Sequence, residues 1–191
     1  MTAPRSVPLA SQTESRAPRP EPRPHAAQRM EVIAELATLI NTTFDLDEIF
    51  RTAILKLPRV LSVRRASVAL VTEDRTHYVI HTLYDRERGG FVTQTGRFAI
   101  DAGLTGQAII TGEPIHVADF EGRPDLRTST EHRVSVVVVP LRFRGIVIGA
   151  LTLGAPEAEA YDREDFDLTR LIGRQVETAL HYSQLLSTIS R

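Results

Sequence analysis

The sequence predicts an α+β fold, with strands grouped in the middle of the chain and helices at both ends. Apolar residues recur at helical spacing in residues 28–57 and again in residues 163–189. Between them, residues 66–154 contain short apolar runs separated by turn residues, which is typical of strands. Strands that form one block, and do not alternate with helices, indicate the α+β class.

Composition excludes several classes of function. The chain has 191 residues, of which 42% are apolar, enough for one domain with a substantial core. Its formal net charge of −1 excludes the positive field that a nonspecific nucleic-acid-binding protein needs. The sequence has no cysteine, so disulfides and thiolate chemistry are excluded. Because no apolar run approaches the length of a membrane span and the N-terminus has no signal core, we expect a cytoplasmic protein without membrane contact.

The N-terminal segment, residues 1–28, is predicted to be a disordered tail rich in Pro and Arg. It holds six of the 11 prolines and few apolar residues, so it cannot bury enough surface to offset chain entropy. Its Pro-Arg run at residues 18–24 favours an extended polyproline II conformation. The tail is expected to be a solvated tether or, alternatively, a docking segment for a partner.

Two helices are expected next, at about residues 29–41 and 45–60. Helical spacing of apolar residues indicates the first helix. Asp45, with Glu48 three residues later, forms a capping-box pattern that begins the second helix.

The strands of the sheet are expected within residues 66–154. The strand runs lie at residues 66–71, 78–84, 91–100 (a weaker strand pair), 114–117, 136–141 and 146–153, with a short helix at about 105–111 and a polar loop at 119–133. The last two runs form a hairpin around Arg144 and Gly145. Pro140 cannot donate a ladder hydrogen bond, so it predicts an edge, a bulge or a strand end.

The final helix is expected at about residues 163–189. Asp162 is placed to cap it, with Asp165 at the third helical position. At 1.5 Å per residue the helix would be roughly 40 Å long, which exceeds the width of a domain of this size. Its end is therefore expected to overhang, and residues 187–191 form the C-terminal end of the chain.

Residues 96–154 carry the most specific pattern. They contain Gly103-Leu-Thr-Gly106-Gln at the short helix, Gly112-Glu-Pro114 before a strand, and Gly149-Ala-Leu-Thr-Leu at the end of the hairpin. This order of elements resembles a GAF domain, which would occupy residues 29–186. The resemblance implies a GAF-like, PAS-related central antiparallel sheet of five to six strands, with the N- and C-terminal helices packed on one face. It also implies a sensory and regulatory module that is not an enzyme.

The resemblance further implies a ligand cavity on the other face of the sheet, under the short helix and the loop after Asp119. Covalent bilin attachment and the free methionine sulfoxide reductases of this family need cysteine, which the sequence lacks. The cyclic-nucleotide signature of phosphodiesterase GAF domains is absent around residues 131–134. The residues expected to contact a small ligand are Phe98, Thr105, Asp119, Arg127, Thr130, His132 and Ser135.

His132 carries a separate hypothesis, because haem-binding GAF sensors place a histidine a little before the corresponding strand. It would be an axial haem ligand or, alternatively, a solvent-facing loop residue. No other metal site is expected. His77 and His81 are four residues apart on a predicted strand, which separates their rings by about 13 Å.

We expect a homodimer, because the terminal helices carry more apolar surface than one sheet face covers. The alternative is that the first helix buries this surface within the monomer. The residues expected at the dimer interface are Ile33, Leu36, Ile40, Leu171, Tyr182, Leu185 and Ile189.

Three functions stay open from the sequence. The first is a sensor that binds a small molecule or transmits signals through its dimer helices. The second is a protein-interaction scaffold without a ligand, and the third is a haem-based gas or redox sensor through His132. GAF domains usually precede kinase, cyclase or transcription-activating domains, so the chain would either bind a signalling partner protein or be the sensory part of something larger.

Overall fold

The computed structural model describes residues 26–40, 45–92, 96–119 and 135–189. Within these ranges, side chains are described except at positions 39, 40, 46 and 182–189. The predicted tail therefore lies outside the described residues up to position 25. The predicted polar loop lies outside them from position 120 to position 134.

In this part of the chain, four α-helices and seven strands follow one another. The helices are α1 (Ala26–Ile40), α2 (Leu46–Lys56), α3 (Gly103–Thr111) and α4 (Arg163–Ile189), and a 3-10 turn at Leu57–Arg59 follows α2. The strands are β1 (Arg65–Val71), β2 (His77–Asp85), β3 (Gly90–Phe91), β4 (Arg97–Ala99), β5 (Ile115–Val117), β6 (Ser135–Phe143) and β7 (Ile146–Ala155).

The strands form one antiparallel sheet in the order β3-β2-β1-β7-β6-β5, with β4 also paired to β2. The predicted α+β class with a central antiparallel sheet is confirmed. The sheet has seven strands, more than the five to six expected, because the predicted weak strand pair forms two short strands that both lie beside β2. Together β3 and β4 extend one edge of the sheet.

Helices α2 and α4 pack against one face of the sheet and α1 packs on these two helices, so the terminal helices lie on one side of the sheet as predicted. Their apolar side chains and those of alternate strand positions form one buried cluster. Within it, Phe50 of α2 and Ile172 of α4 are 0% exposed, and Leu151 of β7 is 1% exposed. Burial of a side chain of this size contributes about 2 kcal/mol, so this layer supplies a large share of the hydrophobic stabilisation.

Helix α4 begins where the sequence predicts, because two carboxylates cap it reciprocally. The Asp165 backbone N–H donates to Asp162 Oδ1 at 2.9 Å, and the Asp162 N–H donates to Asp165 Oδ2 at 3.1 Å. Arg29 of α1 donates to Asp165 Oδ1 at 2.6 Å. Burial raises the pKa of Asp165 above its ordinary value, although these hydrogen bonds oppose the shift. The same carboxylate therefore starts α4 and ties α1 to it.

The hairpin between β6 and β7 turns at Arg144 and Gly145. Both residues have positive φ, 50° and 82°, as tight two-residue hairpin turns require. Pro140 lies opposite Ala150 of β7. On the other side of β6, β5 pairs only with residues 136–138, so Pro140 lies where β6 has one neighbouring strand. This is an edge position of the kind that a proline in a strand predicts.

Candidate functional site

The second face of the sheet carries α3, and we call it the α3 face. Ala108 and Ile109 of α3 pack on Ala69, Val138 and Ala150 of the strands. All five are at most 3% exposed. Helix α3 has nine residues, which span about 14 Å. It therefore covers less of the sheet than the three helices on the opposite face.

Hydroxyl side chains interrupt this apolar floor beside the first turn of α3. Thr105 Oγ1 of α3 and Thr152 Oγ1 of β7 are 3.1 Å apart and form a hydrogen bond. Ser67 of β1 lies directly opposite Thr152 in the β1–β7 ladder, and opposite residues of antiparallel strands project from the same face. Ser67, Thr105 and Thr152 therefore lie together on the α3 face, and we call them the hydroxyl cluster.

The next row of the same face holds charged side chains. Arg65 is two residues before Ser67 on β1, so both project from the α3 face. Asp85 lies opposite Arg65, but its Oδ1 accepts backbone hydrogen bonds from Glu87 and Arg88 at 3.0 and 3.4 Å. Asp85 therefore caps the turn after β2. The face thus combines an apolar floor with hydroxyl groups and a neighbouring guanidinium.

Two aromatic rings border the start of α3. The Tyr78 hydroxyl donates to Ala102 O at 3.0 Å, which fixes the residue that precedes the helix. Phe98 of β4 lies opposite Tyr78, and their rings stack with centroids 5.4 Å apart. Phe98 remains 43% exposed, so it presents a flat aromatic surface at the edge of the α3 face.

The structure brings two of the predicted ligand residues together on this face, Phe98 and Thr105. Asp119 is exposed and follows the end of β5 by two residues. The remaining predicted residues of the polar loop, which lie outside the described residues, are Arg127, Thr130 and His132. The haem hypothesis for His132 therefore stays a prediction.

The structure places Ser135, the seventh predicted ligand residue, on the opposite face. Ser135 is 0% exposed and lies opposite Ala155, which belongs to the core under the terminal helices. Its hydroxyl donates to Val117 O at 3.3 Å. The reason is strand alternation: Val136 faces α3, so the residue before it must face the other way.

Sequence reasoning missed Ser67 and Thr152. Each is a single hydroxyl residue within an apolar run, which has no distinctive spacing to reveal it. Strand alternation would assign each to one of two faces. Only the register of β1 with β7, however, makes them neighbours under Thr105.

The three predicted dimer-interface residues whose side chains are described, Ile33, Leu36 and Leu171, do not form one exposed stripe. Leu36 is 2% exposed and belongs to the core under the terminal helices, so its assignment to the dimer surface is a correction. Ile33 packs against the same core while half-buried, and Leu171 is half-buried. The predicted interface residues whose side chains are not described are Ile40, Tyr182, Leu185 and Ile189.

Within the described ranges, no three side chains of His, Cys, Asp or Glu are grouped so that they could hold a metal ion. No described helix has the length and apolar character that crossing a bilayer requires.

Comparison with known families decides the assignment. A family model described as GAF domain matches residues 43–181, which is more than half of the chain. The chain belongs to the GAF domain family. This confirms the resemblance that the glycine and hairpin motifs indicate in the sequence.

The GAF domain also has regulatory relatives. It is 28% identical over 131 residues to the Nif-specific regulatory proteins of Azospirillum lipoferum and Azospirillum brasilense. The match covers 63% of this chain and 20% of each relative, so the chain spans about a fifth of the length of the curated relatives it matches. A sensory or regulatory role fits both the family and these relatives.

Solved structures share the fold. A free methionine-R-sulfoxide reductase from Neisseria meningitidis matches with a TM-score of 0.74 and 20% identity, over 84% of this chain and 93% of that one. The GAF domain of a phosphoenolpyruvate-protein phosphotransferase from Coxiella burnetii matches with a TM-score of 0.71 and 16% identity, over 88% and 100%. At these identities the likeness shows the fold alone.

The prediction that the chain is not an enzyme is wrong. It rests on the GAF resemblance, yet proteins with this fold include free methionine-R-sulfoxide reductases of Neisseria meningitidis and Staphylococcus aureus. Since enzymes are built on the same scaffold, membership of the family does not exclude catalysis.

Proposed function

We propose that this GAF domain is a sensory and regulatory unit that binds a small polar molecule on the α3 face. The observation that carries the proposal is the difference between the two sheet faces. One face is filled by apolar side chains of three helices. The other has a nine-residue helix with the hydroxyl cluster at its first turn. The name of the Azospirillum relatives, Nif-specific regulatory protein, supports the regulatory part.

The chemistry of the face favours a ligand with hydrogen-bond acceptors and a flat or apolar part. Each hydroxyl of the cluster donates one hydrogen bond and accepts others. Phe98 and the apolar floor under α3 provide contacts for the carbon skeleton. Pockets for small molecules usually combine these features, few polar groups among many apolar ones.

Thr152→Val tests the site, because it removes the hydroxyl while keeping the shape of the side chain. We expect the variant to fold and to bind a ligand about tenfold more weakly, as the loss of one hydrogen bond predicts. Native mass spectrometry would measure a small molecule retained by the purified chain. A thermal-shift titration with a small-molecule extract of the expression host would measure binding that purification removes.

Thr82→Val is the matched control. Thr82 is 4% exposed and Thr152 is 5% exposed, but Thr82 lies opposite Val68, in the core under the terminal helices. Thr82→Val should change neither the mass of the retained small molecule nor the thermal shift. Equal effects of both variants would refute the hydroxyl cluster as the site. A wild-type chain with no retained mass and no shift would leave the scaffold hypothesis in its place.

We further propose that the sensor acts as a homodimer through α1 and α4. Supporting this, α4 continues to Ile189, beyond the contact of His181 with Phe143 at the hairpin. Those last eight residues span about 12 Å. On α1, Met30 is 63% exposed, which provides apolar surface for a second copy.

Leu185→Glu tests the dimer, since a carboxylate in a buried apolar interface is strongly unfavourable. We expect a monomer mass in sedimentation velocity, against a dimer mass for the wild-type chain. Thr178→Glu, at an exposed position of the same helix, should keep the dimer mass. An unchanged mass for Leu185→Glu would remove the C-terminal part of α4 from the interface.

A further inference from the structure

Arg142 of β6 binds helices on both faces of the sheet. Its backbone N–H donates to Glu177 Oε1 of α4 at 2.6 Å. Its guanidinium Nη2 donates at 2.7 Å to the carbonyl oxygen of Gly112, the residue that caps the C-terminus of α3. Its Nη1 donates to Gly145 O in the hairpin turn at 3.2 Å. One residue therefore has hydrogen bonds to α3, to α4 and to the hairpin between β6 and β7.

A β-bulge makes this arrangement possible. The register of β6 with β7 shifts between Leu141 and Arg142, and a bulge takes a residue out of the regular ladder. The Arg142 N–H is thereby available to a side chain of α4. Opposite Arg142 lies Val147, which packs with the residues under α3, so the side chain follows the α3 face.

Both ends of the connection are closely fitted. A Cβ atom at Gly112 would lie 2.6 Å from Arg142 Nη2, so the guanidinium lies directly against the cap of α3. At the other end, Glu177 is half-buried, and burial raises the pKa of its carboxyl although the Arg142 backbone hydrogen bond opposes the shift. One helical turn later, His181 contacts Phe143 with ring centroids 5.2 Å apart. Helix α4 thus holds the bulged end of β6 at two successive turns.

We propose that Arg142 couples the position of α3 to that of α4. A displacement of the C-terminal end of α3 moves the guanidinium, and the backbone of the same residue carries the movement to Glu177. Helix α4 then changes its position on β6, near the point where the helix extends beyond the sheet. As a route from ligand to dimer helices, this rests on the proposed function. The coupling itself requires neither a ligand nor a dimer.

Amide hydrogen exchange of the full chain, read by mass spectrometry, tests the coupling in both directions. Glu177→Ala removes the acceptor on α4, and we expect exchange to rise about fivefold both in residues 174–181 and, across the sheet, in residues 109–113. Arg142→Met keeps the backbone N–H and an apolar stem but removes the guanidinium. It should raise exchange in residues 109–113 and in residues 174–181 by a similar factor, as loss of one hydrogen bond of about 1 kcal/mol implies.

Two controls separate coupling from local loosening. Glu177→Gln keeps the Oε1 acceptor and should leave both segments protected. Thr178→Ala, next to Glu177, removes a hydroxyl that bonds only within α4 and should leave residues 109–113 unchanged. In the Arg142→Met/Glu177→Ala double variant, exchange in residues 109–113 should equal that of Arg142→Met alone.

A Glu177→Ala effect confined to α4, or an Arg142→Met effect confined to α3, would overturn the proposal. Additive effects in the double variant would overturn it too, because they indicate independent contacts. If Glu177→Ala does not fold, Arg142→Met alone still tests the coupling. The proposal then requires that this variant raise exchange in residues 174–181 of α4. If the exchange experiment contradicts the coupling, the ligand site is still tested independently by Thr152→Val. If Thr152→Val contradicts the ligand site, the coupling between α3 and α4 still stands.

Discussion

Gly149→Ala should destabilise the chain by about 3 kcal/mol, the upper part of the range for overpacking a core. Gly149 of β7 lies opposite Leu70 of β1. A Cβ atom at this position would lie 2.1 Å from the carbonyl oxygen of Ala69. That atom belongs to the backbone of a central strand, so it cannot turn aside as a side chain can. Relief of the clash requires β1 and β7 to separate, at the cost of hydrogen bonds in the middle of the sheet.

Urea unfolding followed by circular dichroism would measure this loss, with Gly145→Ala as the control. Gly145 is in the turn before the same strand, has a φ of +82° and has open space where a Cβ would lie. Its substitution brings only the strain of a left-handed conformation, about 1 kcal/mol. If Gly149→Ala costs no more than Gly145→Ala, β1 and β7 do not approach as closely as the ladder indicates.

The same glycine shows where sequence patterns are informative. Gly149 is part of the motif that indicates the GAF family. The structure gives the physical reason for a glycine there, because the missing side chain allows the backbones of β7 and β1 to approach closely. A local signal was also enough for the start of α4. Asp162 and Asp165 predict the start of α4 because a capping box involves residues three apart and no tertiary contact.

The candidate site depends on information of another kind. Thr105 is predicted because it lies in the short helix, under which the GAF resemblance implies a ligand cavity. Its partner Thr152 is 47 residues away and is recognisable only once β7 is placed beneath α3. Ser135 was misplaced because a one-residue step along a strand moves a side chain to the other face, and the sequence before Val136 has no mark that decides the step.

Contacts at a bulge are still less accessible to sequence reasoning. The apolar runs at 136–141 and 146–153 predict the hairpin, but no local pattern predicts the shift between Leu141 and Arg142. That shift gives Arg142 its bond to Glu177, 35 residues later in the chain. Arg142, for which the sequence predicts no role, therefore has hydrogen bonds to α3, to α4 and to the hairpin turn.

Leu36→Ala is expected to lower the free energy of unfolding by about 2 to 5 kcal/mol, the range for truncating a buried leucine. Leu36 of α1 is 2% exposed and belongs to the buried cluster under the terminal helices, where α1 packs against α4 and α2. The sequence places it at a dimer interface, because helical spacing identifies apolar stripes but not which stripe meets the sheet. The structure assigns it to the core, so its loss should weaken folding and leave association alone.

Leu55→Ala is the matched control, since it is the same chemical change on the neighbouring helix α2. Leu55 is 55% exposed, so its truncation should cost less than about 0.5 kcal/mol. Chemical denaturation gives both values, and sedimentation of the folded Leu36→Ala variant gives its mass. A cost for Leu36→Ala as small as that for Leu55→Ala, together with a smaller sedimenting mass, would return Leu36 to the interface. The opposite result is a large loss in the free energy of unfolding with an unchanged sedimenting mass. It would show that this side of α1 belongs to the core, so that only the outer surface of α1 could contact a second copy.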